Sequence, residues 1–320
     1  MKYLIRCVSC GKTYTENEYV VRCANGCNSL LRTEYENKKL ELKPHRGIWK
    51  YENWLPIQNV DTNLLNSTGV FNLYESKGLA EYLGLKKLII CLNGYSGMPT
   101  GTFKDIEAET AIVRVKDTNV SGKPFVLSSD GNMGVSFIHY SNIYKYPIIL
   151  VVTEDTRRER LWSYYNELPY LTLVSLEGKS DYYDSIKLAN NIGKHDSILV
   201  EGGAKNIARR DSVGTVMLET SNMLGSVPDH YFQALGSGPG AIAAYEASLR
   251  LIEDGRYGSH LPKIHGAQNY PFVPMYDAWK NNTREINEKY QKEEAKSLIS
   301  RVYAHVLTNR HPAYSVTGGI

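Results

Sequence analysis

The sequence predicts an α/β protein built around a parallel sheet, on three observations. From Lys123 onward, short β-branched runs alternate with amphipathic stretches, as a series of βαβ units requires. Two of the strand-to-helix junctions are rich in glycine, serine and asparagine, the chemistry of a turn that opens onto a helix N-terminus. The chain has 320 residues, 42% of them hydrophobic, enough for a sizeable core divided by length into about two domains.

In chain order, the first feature is Cys7-Val8-Ser9-Cys10-Gly11-Lys12 followed by Cys23-Ala24-Asn25-Gly26-Cys27. Two close cysteine pairs about a dozen residues apart can present four thiolates tetrahedrally to Zn²⁺, with Gly11 and Gly26 allowing the tight turns. A rubredoxin-like iron site shares this pattern, and a reduced, metal-free knuckle is the alternative. The second pair is CxxxC rather than CxxC. A closed four-thiolate site has no open position for a substrate, so its role is read as structural. Cys91 stands alone.

Next comes Pro99-Thr100-Gly101-Thr102-Phe103-Lys104-Asp105. Pro99 and Gly101 suggest a tight approach to a helix starting near Thr102, with Ile106 and the stretch Ala108–Ile112 on its apolar face. Lys104 then lies in the first turn, at the mouth of the fold. A strand at Phe125–Leu127 leads through Ser128-Ser129-Asp130-Gly131-Asn132-Met133-Gly134 into a helix near Met133–Tyr144. Hydroxyls, an amide and free N–H groups at a helix start suit a carboxylate, although a plain N-cap has the same composition.

The alternation continues with strands at Pro147–Thr153, Tyr170–Ser175, Ser197–Val200, Tyr231–Leu235 and Lys263–Gln268. Helices are expected between them at Arg158–Asn166, Asp181–Ile192, Ser212–Leu224 and Ala241–Glu253. Gly236-Ser237-Gly238-Pro239-Gly240 joins the strand ending at Leu235 to its helix, and backbone N–H groups converging there favour a phosphate. No Lys-Ser/Thr follows, so this is not a P-loop, and it comes too late in the chain for a first dinucleotide-binding turn. The polar stretch Asn281–Lys296 reads as a solvated helix or excursion.

Charge and hydropathy narrow the function class. With 37 basic against 34 acidic residues the net charge is +3, so no electrostatic footprint points to nucleic acid or an anionic membrane. The longest apolar stretch, near Pro147–Val152, falls far short of the ~20 residues that cross a bilayer. The N-terminus has no extended apolar segment of the export type, and a cytoplasmic enzyme acting on small molecules is expected.

Together, Thr100–Asp105, the Ser-Ser-Asp-Gly-Asn loop and the Gly-Ser-Gly-Pro-Gly turn resemble the fold-type II pyridoxal 5′-phosphate (PLP) enzymes, within the threonine synthase-like group. The resemblance covers nearly the whole chain. Gly47–Tyr51 with Trp54-Leu55-Pro56, Glu201–Asp211 and Tyr231–Gly240 resemble the cysteate synthase branch of that group. The resemblance implies a tryptophan synthase β-like, three-layer α/β/α fold of two domains, with a small N-terminal zinc-ribbon-like segment carrying the four cysteines. The divisions expected are 1–36 for the ribbon, 37–95 for the first part of the large domain, 96–175 for the small domain and 176–320 for the rest of the large one.

It also implies a PLP-dependent β-replacement that turns O-phospho-L-serine and sulfite into L-cysteate and phosphate through an aminoacrylate, a step of sulfonate biosynthesis. A threonine synthase-like reaction on O-phosphohomoserine, or a truncated non-catalytic protein, is the alternative. Lys104 would form the Schiff base and act as general base at Cα, and Asn132 would bond the cofactor's phenolic oxygen. Gly236, Ser237, Gly238, Pro239 and Gly240 would hold its phosphate, and Ser128, Ser129, Gly131 and Met133 the substrate carboxylate. Arg209 and Arg210, with Lys205 third, are the candidate cations for phosphate and sulfite. Homodimers are common in the group.

Two departures stand out. The group usually carries a small residue or hydroxyl at Asp130, and often Thr or Ala at Met133. The run His311–Ile320 stops where relatives continue, so the hydroxyl facing the pyridine nitrogen has no candidate here.

Overall fold

The computed structural model describes residues 1–92, 94, 97–129, 131–161, 168–304 and 308–310. Asp130, residues 162–166 of the expected Arg158–Asn166 helix, and the run His311–Ile320 therefore lie outside the described residues.

The N-terminal ribbon is an antiparallel sheet of β1 (Tyr3–Cys7), β2 (Thr13–Thr15) and β3 (Leu31–Tyr35), with β1 central. Alternate residues of β1 and β3 point inward, the period-two pattern of a half-buried sheet. A second antiparallel pair joins β4 (Leu73–Glu75) to β5 (Ile89–Cys91) around helix α1 (Lys77–Tyr82). Helix α2 (Lys104–Lys116) follows. The central sheet comprises β6 (Phe125–Ser128), β7 (Ile148–Thr153), β8 (Leu171–Leu176) and β9 (Leu199–Val200), all parallel, in the order β8-β7-β6-β9. Between them run α3 (Asn132–Ile143), α4 (Glu154–Arg160) and α5 (Tyr182–Ile192). Helix α6 (Ile207–Leu224), β10 (His230–Ala234), α7 (Pro239–Asp254), β11 (Lys263–Ala267), α8 (Pro274–Lys280) and α9 (Lys296–Ile299) complete the described chain, with β10 and β11 paired in parallel.

The central sheet is apolar on both faces, as helices on each side require. Phe125, Leu127, Ile148, Leu150 and Val152 join Ile106 of α2 and Phe137 of α3 in the main core. Val126 and Val151, one residue out of phase, pack instead against Ala189 of α5. That alternation produces the three α/β/α layers.

The central sheet continues to β9, which pairs with β6, and α5 packs on it. Helix α6 begins at Ile207 rather than Ser212, because the Asn206 side chain caps it by accepting the Ala208 N–H at 3.0 Å. The Asn281–Lys296 stretch is an excursion of 3₁₀ turns, held down by buried Ile286, Tyr290 and Ala295. The ribbon is also no free-standing knuckle: Tyr3, Ile5 and Leu31 share a core with Ile207 and Leu218 of α6 and with Ala247 and Leu251 of α7.

Candidate active site

Lys104 is the first residue of α2, after the N-cap Phe103. The chain reaches it through a tight turn in which Gly101 adopts φ +76° and donates its N–H to Met98 O at 3.0 Å. Asp105 has no exposed surface. Its carboxylate accepts the Thr100 N–H at 2.8 Å, the Thr100 hydroxyl at 2.5 Å and the Ser136 hydroxyl of α3 at 2.7 Å. This carboxylate ties the turn to α3 and so fixes the direction from which Lys104 enters the site.

A line of four charges runs inward from the lysine. Lys104 Nζ lies 2.5 Å from Glu107 Oε1 and 4.1 Å from the centre of the Phe103 ring. Glu107 is fully buried, and its Oε2 accepts from Arg209 Nε at 2.7 Å. Arg209 Nη1 then donates to Glu201 Oε2 at 3.1 Å. Glu201 is itself fixed: the Gly203 N–H donates to Oε2 at 3.0 Å and Asn206 Nδ2 to Oε1 at 3.1 Å. Burial pulls the Lys104 amine below its ordinary pKa; Glu107 opposes this and Arg209 adds to it. Burial also works against the charged form of Glu107, but Lys104 and Arg209 outweigh it and leave the carboxyl below its ordinary range.

The ribbon reaches this line from behind. The Tyr19 hydroxyl lies 2.9 Å from Glu201 O and 3.1 Å from Val200 O, where its one proton is shared. A Cβ on Gly202 would fall 2.7 Å from Val21 Cγ1, so glycine is required for the strand end to approach the ribbon so closely.

The loop between β6 and α3 is built by Ser129. Its buried Oγ accepts the Gly131 N–H at 3.2 Å and the Gly134 N–H at 2.7 Å. Its hydroxyl therefore shapes the cradle. Asn132, the first residue of α3, is exposed, and its side chain has no hydrogen-bond partner among the described residues.

At the other glycine turn, Gly238 caps α7 in the left-handed region (φ +83°) and Pro239 takes the first helical position, where a missing N–H costs nothing. No acidic residue occupies the first turn of this 16-residue helix, so its N-terminal dipole has no competing carboxylate. Ile106 of α2, Ala208 and Val213 of α6 and Ala243 of α7 belong to one core, which ties the lysine helix to the glycine-turn helix. The Lys104 amine, docked on Glu107, an exposed amide with no partner among the described residues at a helix start, and a glycine-opened helix N-terminus are a donor set that fits PLP.

The two expected arginines have separate roles. Successive helical residues point about 100° apart, so Arg209 faces Glu107 while Arg210 faces the ribbon. Arg210 is 1% exposed, with Nε on Glu246 at 3.0 Å, Nη1 on Ala204 O at 2.7 Å and Nη2 on Leu31 O. Arg210, expected to meet a substrate anion, has its donors on α7, on the turn before α6 and on the ribbon strand β3. Asp211 is engaged likewise, accepting from Tyr35 Oη at 2.6 Å and Arg250 Nη2 at 2.5 Å. Lys205 is half-buried at the end of a 3₁₀ turn, its amine held below the ordinary pKa by burial and by Arg22.

Glu107, Glu201 and Asp105 were not singled out from the sequence. A signal for one existed, since Lys104 and Glu107 stand three residues apart on a helix and share a face.

The four cysteine sulfurs lie within 4.8 Å of one another, with Cys10 Sγ 3.6 Å from Cys23 Sγ. Tetrahedral Zn–S bonds of about 2.3 Å set sulfurs about 3.8 Å apart. Both turns close as knuckles, Gly11 N–H to Cys7 O at 2.9 Å and Gly26 N–H to Cys23 O at 3.0 Å. The four sulfurs thus have the spacing to hold a Zn²⁺ ion, for which Cys7, Cys10, Cys23 and Cys27 would be the ligands.

Residues 65–317 match the family model described as pyridoxal-phosphate dependent enzyme. Cysteate synthase of Methanosarcina acetivorans is 43% identical over the whole of this chain and 76% of the relative, and that of Methanocella arvoryzae is 44% identical over the whole chain and 75% of the relative. Among solved structures, maize serine racemase superposes with a TM-score of 0.55 at 14% identity, covering 77% of this chain and 68% of that one. Holo diaminopropionate ammonia lyase from Escherichia coli gives 0.51 at 14% identity, covering 77% and 66%. These two likenesses speak to the fold alone.

Proposed function

The chain belongs to the pyridoxal-phosphate dependent enzyme family, and from that premise we propose that it acts as a cysteate synthase, converting O-phospho-L-serine and sulfite to L-cysteate and phosphate. The observation that carries this is the match to cysteate synthases over the whole chain. When bound, PLP supplies an electron sink for the negative charge developed at the substrate Cα.

Lys104 is the residue that would hold the cofactor, and its freed amine is the base that takes the Cα proton. Asn132 would bond the ring oxygen. Gly236, Ser237, Gly238, Pro239 and Gly240 would seat the phosphate at the start of α7, where the helix dipole favours an anion. The loop of Ser128, Ser129, Gly131 and Met133 would receive the substrate carboxylate, its shape held by Ser129 Oγ accepting the Gly131 and Gly134 N–H groups. With Arg209 and Arg210 engaged by buried carboxylates and the start of α7 taken by the cofactor phosphate, the substrate carboxylate relies on the N-terminus of α3. A homodimer and a cytoplasmic setting, where the ribbon's four thiols stay reduced, complete the proposal.

The test is incubation of the purified protein with PLP, phosphoserine and sulfite. Phosphate release with formation of cysteate is expected. Absence of both overturns the proposal, and turnover of O-phosphohomoserine instead would reassign the substrate.

A further inference from the structure

We propose that Glu107 is a positioning residue for Lys104: a buried carboxylate, itself fixed by Arg209, that docks the lysine ammonium whenever the amine is not covalently engaged. The proposal rests on the reading of Lys104 as the cofactor-bearing lysine.

Three observations support it. Glu107 has no exposed surface, and carboxylates are almost never fully buried unless paired. Its two oxygens are divided between two cations, Oε1 to Lys104 Nζ at 2.5 Å and Oε2 to Arg209 Nε at 2.7 Å. Arg209 is in turn braced by Glu201, so the carboxylate cannot swing without breaking a second buried pair. Lys104, Glu107, Arg209 and Glu201 alternate in sign and sum to zero, the condition under which a buried charge line is tolerated.

Each element around the lysine contributes to its charge state. Glu107 of α2 favours the ammonium and Arg209 of α6 disfavours it. Glu201, and the phenols of Tyr19 and Tyr182 beside Glu201 and Arg209, act through those two groups. Replacing the Glu107 charge with a neutral amide leaves burial and Arg209 unopposed, so Lys104 should lose its proton at lower pH.

The experiment is competitive acylation of cofactor-free protein with trace acetic anhydride across a pH series, with Lys104 modification read by mass spectrometry. Glu107→Gln should lower the pH midpoint of Lys104 labelling by about one unit or more, since a unit corresponds to a tenfold change in proton affinity. Glu107→Asp keeps the charge but withdraws it by one methylene, and should fall between Gln and wild type. A midpoint unchanged to within about 0.3 unit in Glu107→Gln overturns the proposal. If that variant does not fold, an unchanged Glu107→Asp does so. A parallel arm adds PLP to wild type, reduces with borohydride and maps the modified lysine. Trapping elsewhere than Lys104 defeats the underlying reading, whereas trapping at Lys104 with an unchanged midpoint defeats only the role of Glu107.

Discussion

Replacing Arg209 with methionine separates a substrate contact from a buried brace. Its guanidinium spans Glu107 at 2.7 Å and Glu201 at 3.1 Å, and neither carboxylate side chain is more than 4% exposed. Removing one member of a buried ion pair leaves an uncompensated charge and costs about 3–5 kcal/mol. Here one substitution strands two carboxylates, although Lys104 remains on Glu107 and the Gly203 and Asn206 donors remain on Glu201. The loss expected for Arg209→Met is therefore about 3–5 kcal/mol rather than double that. Against a total stability of about 5–15 kcal/mol this is a large fraction. At a denaturant slope of about 3 kcal/mol per molar, the urea midpoint of cofactor-free protein should fall by about 1–2 M. A midpoint within about 0.3 M of wild type, accompanied by a raised KM for phosphoserine, would refute the bracing role and return Arg209 to the list of substrate contacts.

Other outcomes follow from the same geometry. Glu109 is buried, with one oxygen serving Thr68, Tyr144 and Trp49 and the other unpartnered, and burial pushes its carboxyl up to about 7. An acid whose folded pKa is raised contributes stability below the ordinary carboxylate range and loses it as pH rises through about 7, here by ~3 kcal/mol. Glu109→Gln should flatten that dependence in urea titrations between about pH 4.5 and 7, and an unchanged slope would count against it. Tyr19→Phe removes the proton shared between Val200 O and Glu201 O and should cost about 1 kcal/mol in thermal melts. Gly238→Ala places a Cβ at φ +83°, a strain of about 1–2 kcal/mol, and should weaken PLP binding in an absorbance titration. Elemental analysis should find one zinc per chain, falling in Cys10→Ser, and chelation should lower the melting temperature because the ribbon shares its core with α6 and α7.

The short strands β1 to β5 are not legible in the sequence, whereas the order of strands and helices from Phe125 to Ala267, the lysine at a helix start, the two glycine-rich strand-to-helix turns and the clustered cysteines are. Each is written in local terms: a period of two or 3.6, a cap or a turn glycine, spaced over a few residues. Asn206 as the cap that starts α6 early is also local, and was obscured by the glycine-rich run before it. What only the tertiary structure decided is which charges meet. Glu107 and Arg209 are 102 residues apart, and Arg210 reaches Leu31 across 179. A helix turns about 100° between neighbours, so Arg209 and Arg210, alike in sequence, were assigned to the lysine and to the ribbon by what packed on each side of α6. Burial then gave the partners their meaning, because a carboxylate taken out of water must find its cation, and the fold determined which one it found.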